Sequence, residues 1–259
     1  MGNTTFSIKS YLFHWLVKED CYSIQGPYLY GLIKGLFEFR KNQHDQDLDI
    51  EEFRRKLLHD KRILFVEDMG AGSKKAGKEF RKVCDITKYS TSSRKFAQLY
   101  QYFCTHTPAQ TVLELGTCLG ISTRYLSRVT KGNLYSFEGS SEIQKLARQD
   151  FDQAHVKFIL GPIEDRLSEI LKQVNSLDFV LIDANHTYQA TTRAFQSILP
   201  YTKESSIVAI GDIHWSKEMN RAWKEIQSHP RVKISLDFYE CGILIFDFSG
   251  TKQHLILDY

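Results

Sequence analysis

From residue 111 onward the chain alternates short, almost continuous apolar runs with amphipathic stretches of about 10 to 15 residues. This rhythm constrains the fold more than any other feature. An apolar run without polar alternation needs cover on both faces, and a parallel sheet wrapped by helices supplies it. The predicted strands are TVLELG (111–116), NLYSFEG (133–139), VKFILG (156–161), LDFVLID (177–183) and SSIVAIG (205–211), with helices near 121–130, 141–153, 164–174, 188–199 and 216–228. Beyond 230 the sequence VKISLDFYECGILIFDF holds two further runs about a turn at Glu240 to Gly242. They are too close for a crossover helix, so the sheet is expected to end in an antiparallel hairpin.

The first 110 residues lack that rhythm. Helix-like segments are expected near 6–19, 27–40, 48–60 and 92–105, with a polar, lysine-rich loop from 72 to 90. The expected division is a helical N-terminal cap and lid over 1–90 and a catalytic α/β domain over 91–259. Tyr22, Tyr28 and Tyr30 are aromatic candidates for the lid.

Two stretches compete as a nucleotide loop: FVEDMGAGSKK (65–75) and VLELGTCLGIS (112–122). Such a loop needs a strand before it, glycine where the backbone meets the ligand, a helix after it, and an acid at the tip of the next strand to grip ribose hydroxyls. The second stretch has all four: Gly116 and Gly120 bracket the turn, ISTRYLSRV continues as a helix, and Glu138 ends the next strand 24 residues after Glu114. The first has no acid-tipped second strand, and is expected to form a turn that covers the acceptor pocket, with Gly70, Gly72 and Ser73 in it and Asp68 facing the pocket. Glycines four apart, with no third, also differ from the close glycines that hold a dinucleotide's pyrophosphate.

The order ELGTCLGIS, FEG and LIDANHTY resembles class I S-adenosylmethionine-dependent methyltransferases, in particular the small-molecule O-methyltransferase branch that includes catechol O-methyltransferase. The likeness covers roughly residues 90 to 248. A closer likeness, which takes in the helical start, DMGAGS and DIHWSKEMNRAW, is to class I methyltransferases from Bacteroidetes and brings no acceptor with it. The resemblance implies a Rossmann-like, doubly wound sheet of seven strands in the order 3-2-1-4-5-7-6, mostly parallel with an antiparallel last strand. It implies S-adenosylmethionine as cofactor, held by Glu114, Gly116, Thr117, Gly120, Ser122, Glu138, Ser92, Ser93, Asp183 and, around the adenine, Gly161, Pro162 and Ile163. Asp183 matches a residue near the sulfonium, and His186 matches a position that holds a general-base lysine. Histidine suits proton removal because its pKa lies near neutrality. Metal-dependent relatives place Asp-Asn where this chain has Asp212-Ile213, so a Mg²⁺ set would fall to Asp183, Asp212 and His214.

The rivals are an NAD-binding Rossmann oxidoreductase, a non-catalytic binding protein on the same fold, and methylation of a protein or nucleic acid. At 259 residues with 42% hydrophobic, 25% charged and net charge +3, no basic patch implies nucleic acid. No apolar run is long enough for a membrane span. Five scattered cysteines without CxxC fit a reducing cytoplasm and argue against a zinc site. The expected partner is a small-molecule acceptor, and a homodimer is compatible with the sequence.

Overall fold

The computed structural model describes residues 2–43, 45–66 and 79–259, with the side chains of residues 2–5 outside that description. Its centre is an eight-stranded sheet: β3 (Thr111–Leu115), β4 (Asn133–Glu138), β5 (Val156–Leu160), β6 (Leu177–Ile182), β7 (Thr202–Gly211), β8 (Ile234–Asp237), β9 (Cys241–Ile245) and β10 (Gln253–Ile256). Across the sheet they stand in the order β10-β8-β9-β7-β6-β3-β4-β5. Only β9 runs antiparallel to its neighbours, β7 and β8.

Period-two side-chain alternation explains why the central strands read as unbroken apolar runs. On β6, Phe179 and Leu181 enter one hydrophobic cluster while Val180 and Ile182 enter the cluster on the other face; Leu177, ahead of a register shift between it and Phe179, joins the second. The first face is covered by α5 (Arg94–Thr105), α6 (Ile121–Ser127) and, outside them, α2 (Pro27–Asn42). The second is covered by α8 (Ile163–Leu171), α9 (Tyr188–Ile198) and α10 (Lys217–Ser228). Helix α7 (Ser141–Ala147) packs beside α6 in a third cluster with α3 (Leu48–His59), α4 (Val83–Ser90) and β1 (Ile63–Phe65).

Two expectations are corrected. The sheet has eight strands and not seven, because the C-terminal residues add β10 parallel to β8. That strand is tied to the chain's beginning: Glu19 N–H donates to the Ile256 carbonyl and Asp258 N–H to the Glu19 carbonyl, at 2.8 and 2.9 Å. The region expected to be a loop from 72 to 90 contains β2 (Phe80–Lys82), paired antiparallel with β1, and α4. Helix α1 (Gly2–Val17) precedes all of these. Asp68, Gly70, Gly72 and Ser73 lie outside the described residues, so their expected role over the pocket has no structural counterpart here.

The sheet registers bring four strand ends to one edge. Leu115 lies opposite both Phe137 and Ile182, and Ile182 lies opposite Ile210. Gly116, Glu138, Asp183 and Gly211-Asp212 therefore emerge together. Between β3 and β6 the strand order reverses, which opens the crevice where ligands bind in open α/β sheets.

Candidate active site

A cavity of about 460 Å³ occupies that crevice, within the usual size range of a small-molecule site. Gly116 forms its floor at φ +109°, where a Cβ would lie 2.2 Å from the Asp183 carbonyl oxygen. Asp183 N–H donates to the Leu115 carbonyl at 2.8 Å, which closes the two strand ends against each other. Gly211 is equally constrained, since a Cβ there would sit 1.9 Å from Asp183 Oδ1. Gly116 makes room for the backbone of Asp183 and Gly211 for its carboxylate.

Glu138 ends β4 on the cavity wall. Its Oε2 accepts from Cys118 N–H and its Oε1 from Ser140 N–H, both at 2.9 Å. Each oxygen has a second lone pair, so the carboxylate is oriented yet able to accept from two hydroxyls. Burial pushes its pKa up to about 6 against the opposing pull of those amides. Ser92 Oγ donates to Asp183 Oδ2 at 3.4 Å from the turn that starts α5. Burial also pushes Asp183 up to about 6, with the neighbouring Asp212 adding to the shift and His186 opposing it.

His186 Nε2 stands 3.6 Å from Asp212 Oδ2, while its Nδ1 is buried without a hydrogen-bond partner. Cys118, Asn185, His186 and Asp212, all cavity-lining, hold positive φ of 48°, 61°, 38° and 56°. Non-glycine residues in that region cost energy and cluster where function requires a geometry.

The sequence-predicted residues divide into three groups. Gly116, Glu138, Gly161, Pro162, Ile163, Asp183, His186, Ser92, Ser93 and Asp212 all line the cavity. Thr117 and Ser122 line a small recess beside it. Glu114 and Gly120 line neither. Glu114 is fully buried behind the loop, where Oε2 accepts from Thr123 Oγ1 at 2.5 Å and Ser136 Oγ at 2.6 Å while Oε1 has no partner. These bonds join the end of β3 to α6 and β4. Gly120, at φ +75°, is needed because a Cβ would meet Ala147 of α7 at 3.0 Å.

His214 is a further correction. Its Nε2 pairs with Asp237 Oδ2 at 2.8 Å and its Nδ1 with Ser10 Oγ at 2.7 Å, so it faces α1 and not the carboxylates. The group close enough to share a cation is instead Asp183, His186 and Asp212, with one ligand atom of each within 4.8 Å of the others. Ile213 is buried in the core and offers no donor.

Sequence reasoning missed Tyr100, Cys118 and Glu240 on the wall. Cys118 sits inside the GTCLG turn and could have been found there. Tyr100 is one of nine consecutive buried residues on α5, so nothing local distinguishes it. The tyrosines proposed for the lid do not reach the cavity; among the described residues, its wall ahead of α5 comes from Val66 and Lys88 to Ser93.

The doubly wound sheet with its switch-point crevice is a fold that this chain shares with solved O-methyltransferase structures. Residues 113–213 match the family model described as a methyltransferase domain. Among solved structures, the O-methyltransferase of Bacillus cereus in complex with SAH is 19% identical, with a TM-score of 0.50, and the match covers 60% of this chain and 82% of that one. TomG of Streptomyces achromogenes, an O-methyltransferase involved in tomaymycin synthesis and seen with SAM, is 16% identical with a TM-score of 0.51 over 61% and 82%. A protein of Staphylococcus aureus provisionally assigned as a caffeoyl-CoA O-methyltransferase is 13% identical with a TM-score of 0.57 over 83% and 98%. No curated protein matches the chain.

Proposed function

We propose that this protein transfers the methyl group of S-adenosylmethionine to an oxygen of a small molecule, with His186 as the general base. One observation carries the choice of cofactor. Among the described residues the cavity wall has five carboxylates, Glu138, Glu164, Asp183, Asp212 and Glu240, against one lysine, Lys88. A dinucleotide would bring a pyrophosphate dianion into that field, whereas a sulfonium is a cation and is attracted to it. The SAM- and SAH-bound neighbours support the same choice.

Methyl transfer is an in-line displacement: the acceptor oxygen forms a bond to the methyl carbon as the carbon–sulfur bond breaks, and the acceptor's proton must leave. In this reading Glu138 takes the ribose hydroxyls and Pro162 and Ile163 flank the adenine. Asp183 faces the sulfonium side, and His186 Nε2 receives the proton. The imidazolium so formed is stabilised by Asp212 at 3.6 Å.

Asp183, His186 and Asp212 each offer one ligand atom within 4.8 Å of the others, which suits a divalent cation, and an ion held through His186 would take the place of its role as base. A set of two oxygens and one nitrogen favours a first-row transition ion over Mg²⁺. Such an ion, when bound, would polarise the acceptor's hydroxyl. Proteins of this kind are expected in a reducing cytoplasm, which the five free cysteines support. Among the described residues no helix is long and apolar enough to cross a membrane.

The test combines titration calorimetry with S-adenosylmethionine and NADH and release of S-adenosylhomocysteine across a panel of phenols and alcohols, with and without Mg²⁺ or Mn²⁺. His186→Gln should lower turnover by roughly 10²–10⁴-fold while cofactor affinity stays within a few-fold. Tight NADH binding without methyl-donor binding would refute the cofactor, and unchanged turnover would refute the base.

A further inference from the structure

Helix α1 is amphipathic in the reverse of the usual sense. Its polar residues face the protein: the Ser7 carbonyl accepts from Tyr239 Oη at 3.2 Å, Ser10 Oγ bonds His214 Nδ1 at 2.7 Å, and His14 is buried with Nε2 3.6 Å from Asp237 Oδ1. His14, His214 and Tyr239 also pack ring against ring, His214 stacking on Tyr239 at 5.0 Å. Residues 7, 10 and 14 make one helical stripe.

The apolar residues point outward. Ile8, Leu12 and Leu16 form an i, i+4 ridge that is 58%, 51% and 72% exposed, and Phe13 and Trp15 beside it are 60% and 55% exposed. Tyr22, just beyond the helix, is 82% exposed. With large side chains presenting about 150–250 Å² each, this face leaves on the order of 800 Å² of apolar surface bare. A monomer rarely carries a contiguous apolar patch above a few hundred Å², and about 800 Å² is what each partner contributes to a stable protein–protein interface.

We propose that α1 is the dimerisation helix of this protein, and that its outward ridge packs against the same ridge of a second copy. The patch suits a self-complementary, two-fold contact, in which one face serves both sides. Its composition decides between a protein and a lipid surface. Helices that lie on membranes carry Lys and Arg along a polar face that remains in water. Here the polar face is consumed by the contacts to His214, Asp237 and Tyr239, and the helix has a single charged residue, Lys9. Aromatic enrichment with depletion of charge is the signature of a protein interface core. Ridge packing at i±4 spacing gives a close helix–helix contact without rearranging the monomer. The inference stands apart from the methyl-transfer reading, because it uses no residue of the cavity.

The experiment is light scattering on the full chain at tens of micromolar, beside the double variant Leu12→Glu, Leu16→Glu and the single variant Phe13→Arg, with circular dichroism as a folding control. The wild type should have twice the mass of one chain and both variants half that value with an unchanged spectrum. If the double variant loses its spectrum, Phe13→Arg alone is read in the same way. A monomeric wild type would overturn the proposal, as would variants that stay dimeric, since the contact would then use another face. Sedimentation of a monomeric wild type with phosphatidylcholine–phosphatidylglycerol vesicles would overturn it in favour of a lipid surface.

Discussion

Glu138 receives two backbone amides and still presents lone pairs to the cavity, which makes it the residue on which cofactor affinity should depend most. Glu138→Gln removes the charge from its hydrogen bonds, worth roughly 1.5–3 kcal/mol, so the dissociation constant for S-adenosylmethionine should rise about 10- to 100-fold. The wild-type affinity should also fall as pH drops below about 6, where this carboxylate takes up a proton, and the glutamine variant should show a shallower fall, the part left to Asp183, which burial also pushes up to about 6. Calorimetry at pH 5, 6 and 8 on both proteins checks the two statements together. Glu138, Asp183 and His186 were legible in the sequence because they lie at or just beyond the end of a strand, where a polar side chain has no packing reason to stand. Glu114, expected at the cofactor, lines neither the cavity nor the recess beside it. It shares the parity of Val112 within β3, and that parity turns it under α6 and away from the sheet's edge.

At the scale of elements, α6 is held to its neighbours by a buried polar cluster. Tyr125 on α6 donates its one hydroxyl proton to Asp47 Oδ2 at 2.6 Å, with Glu51 Oε1 3.0 Å from the same oxygen, and the fully buried Asp47 also receives Gln98 Nε2 at 2.7 Å and the Arg94 guanidinium. This cluster binds α3 to α5 and α6 without lining the cavity. Tyr125→Phe removes a hydrogen bond to a charged group and should lower stability by roughly 1.5–3 kcal/mol, read as a lower urea midpoint, with cofactor affinity within two-fold. A large loss of affinity instead would mean that the cluster also sets the loop. The central strands and their helices were legible because their periodicity is local. The β1–β2 pairing was not, since β2 is three residues with exposed Phe80 and Lys82 about buried Arg81, and only the distant partner β1 makes it a strand.

For the molecule as a whole, the site is held at a cost to stability. Glu114 is pushed up to about 7 by burial, which outweighs the hydroxyls of Ser122, Ser136 and Thr123 that favour its ionised form. A carboxyl whose folded pKa is raised contributes stability below its unfolded pKa near 4.5 and loses it as pH rises through the folded value. Wild type should therefore lose stability relative to Glu114→Gln between pH 5 and pH 8, and the gap in melting temperature between the two proteins should shift by several degrees, at about 2–4 °C per kcal/mol. A gap independent of pH would show that Glu114 titrates as it does in the unfolded chain. The sequence by itself determined the doubly wound sheet, the glycine turn at the cavity and the acids at the strand tips, because strand rhythm, glycine spacing and strand-end polarity are all properties of neighbouring residues. Only the tertiary structure decided that His186 and not His214 joins Asp183 and Asp212, that Tyr100 and Glu240 reach the same cavity, and that α1 turns its apolar ridge outward. Those outcomes depend on which distant side chains meet: Ser10 and Asp237 capture His214, and the polar stripe of α1 finds its partners more than 200 residues away.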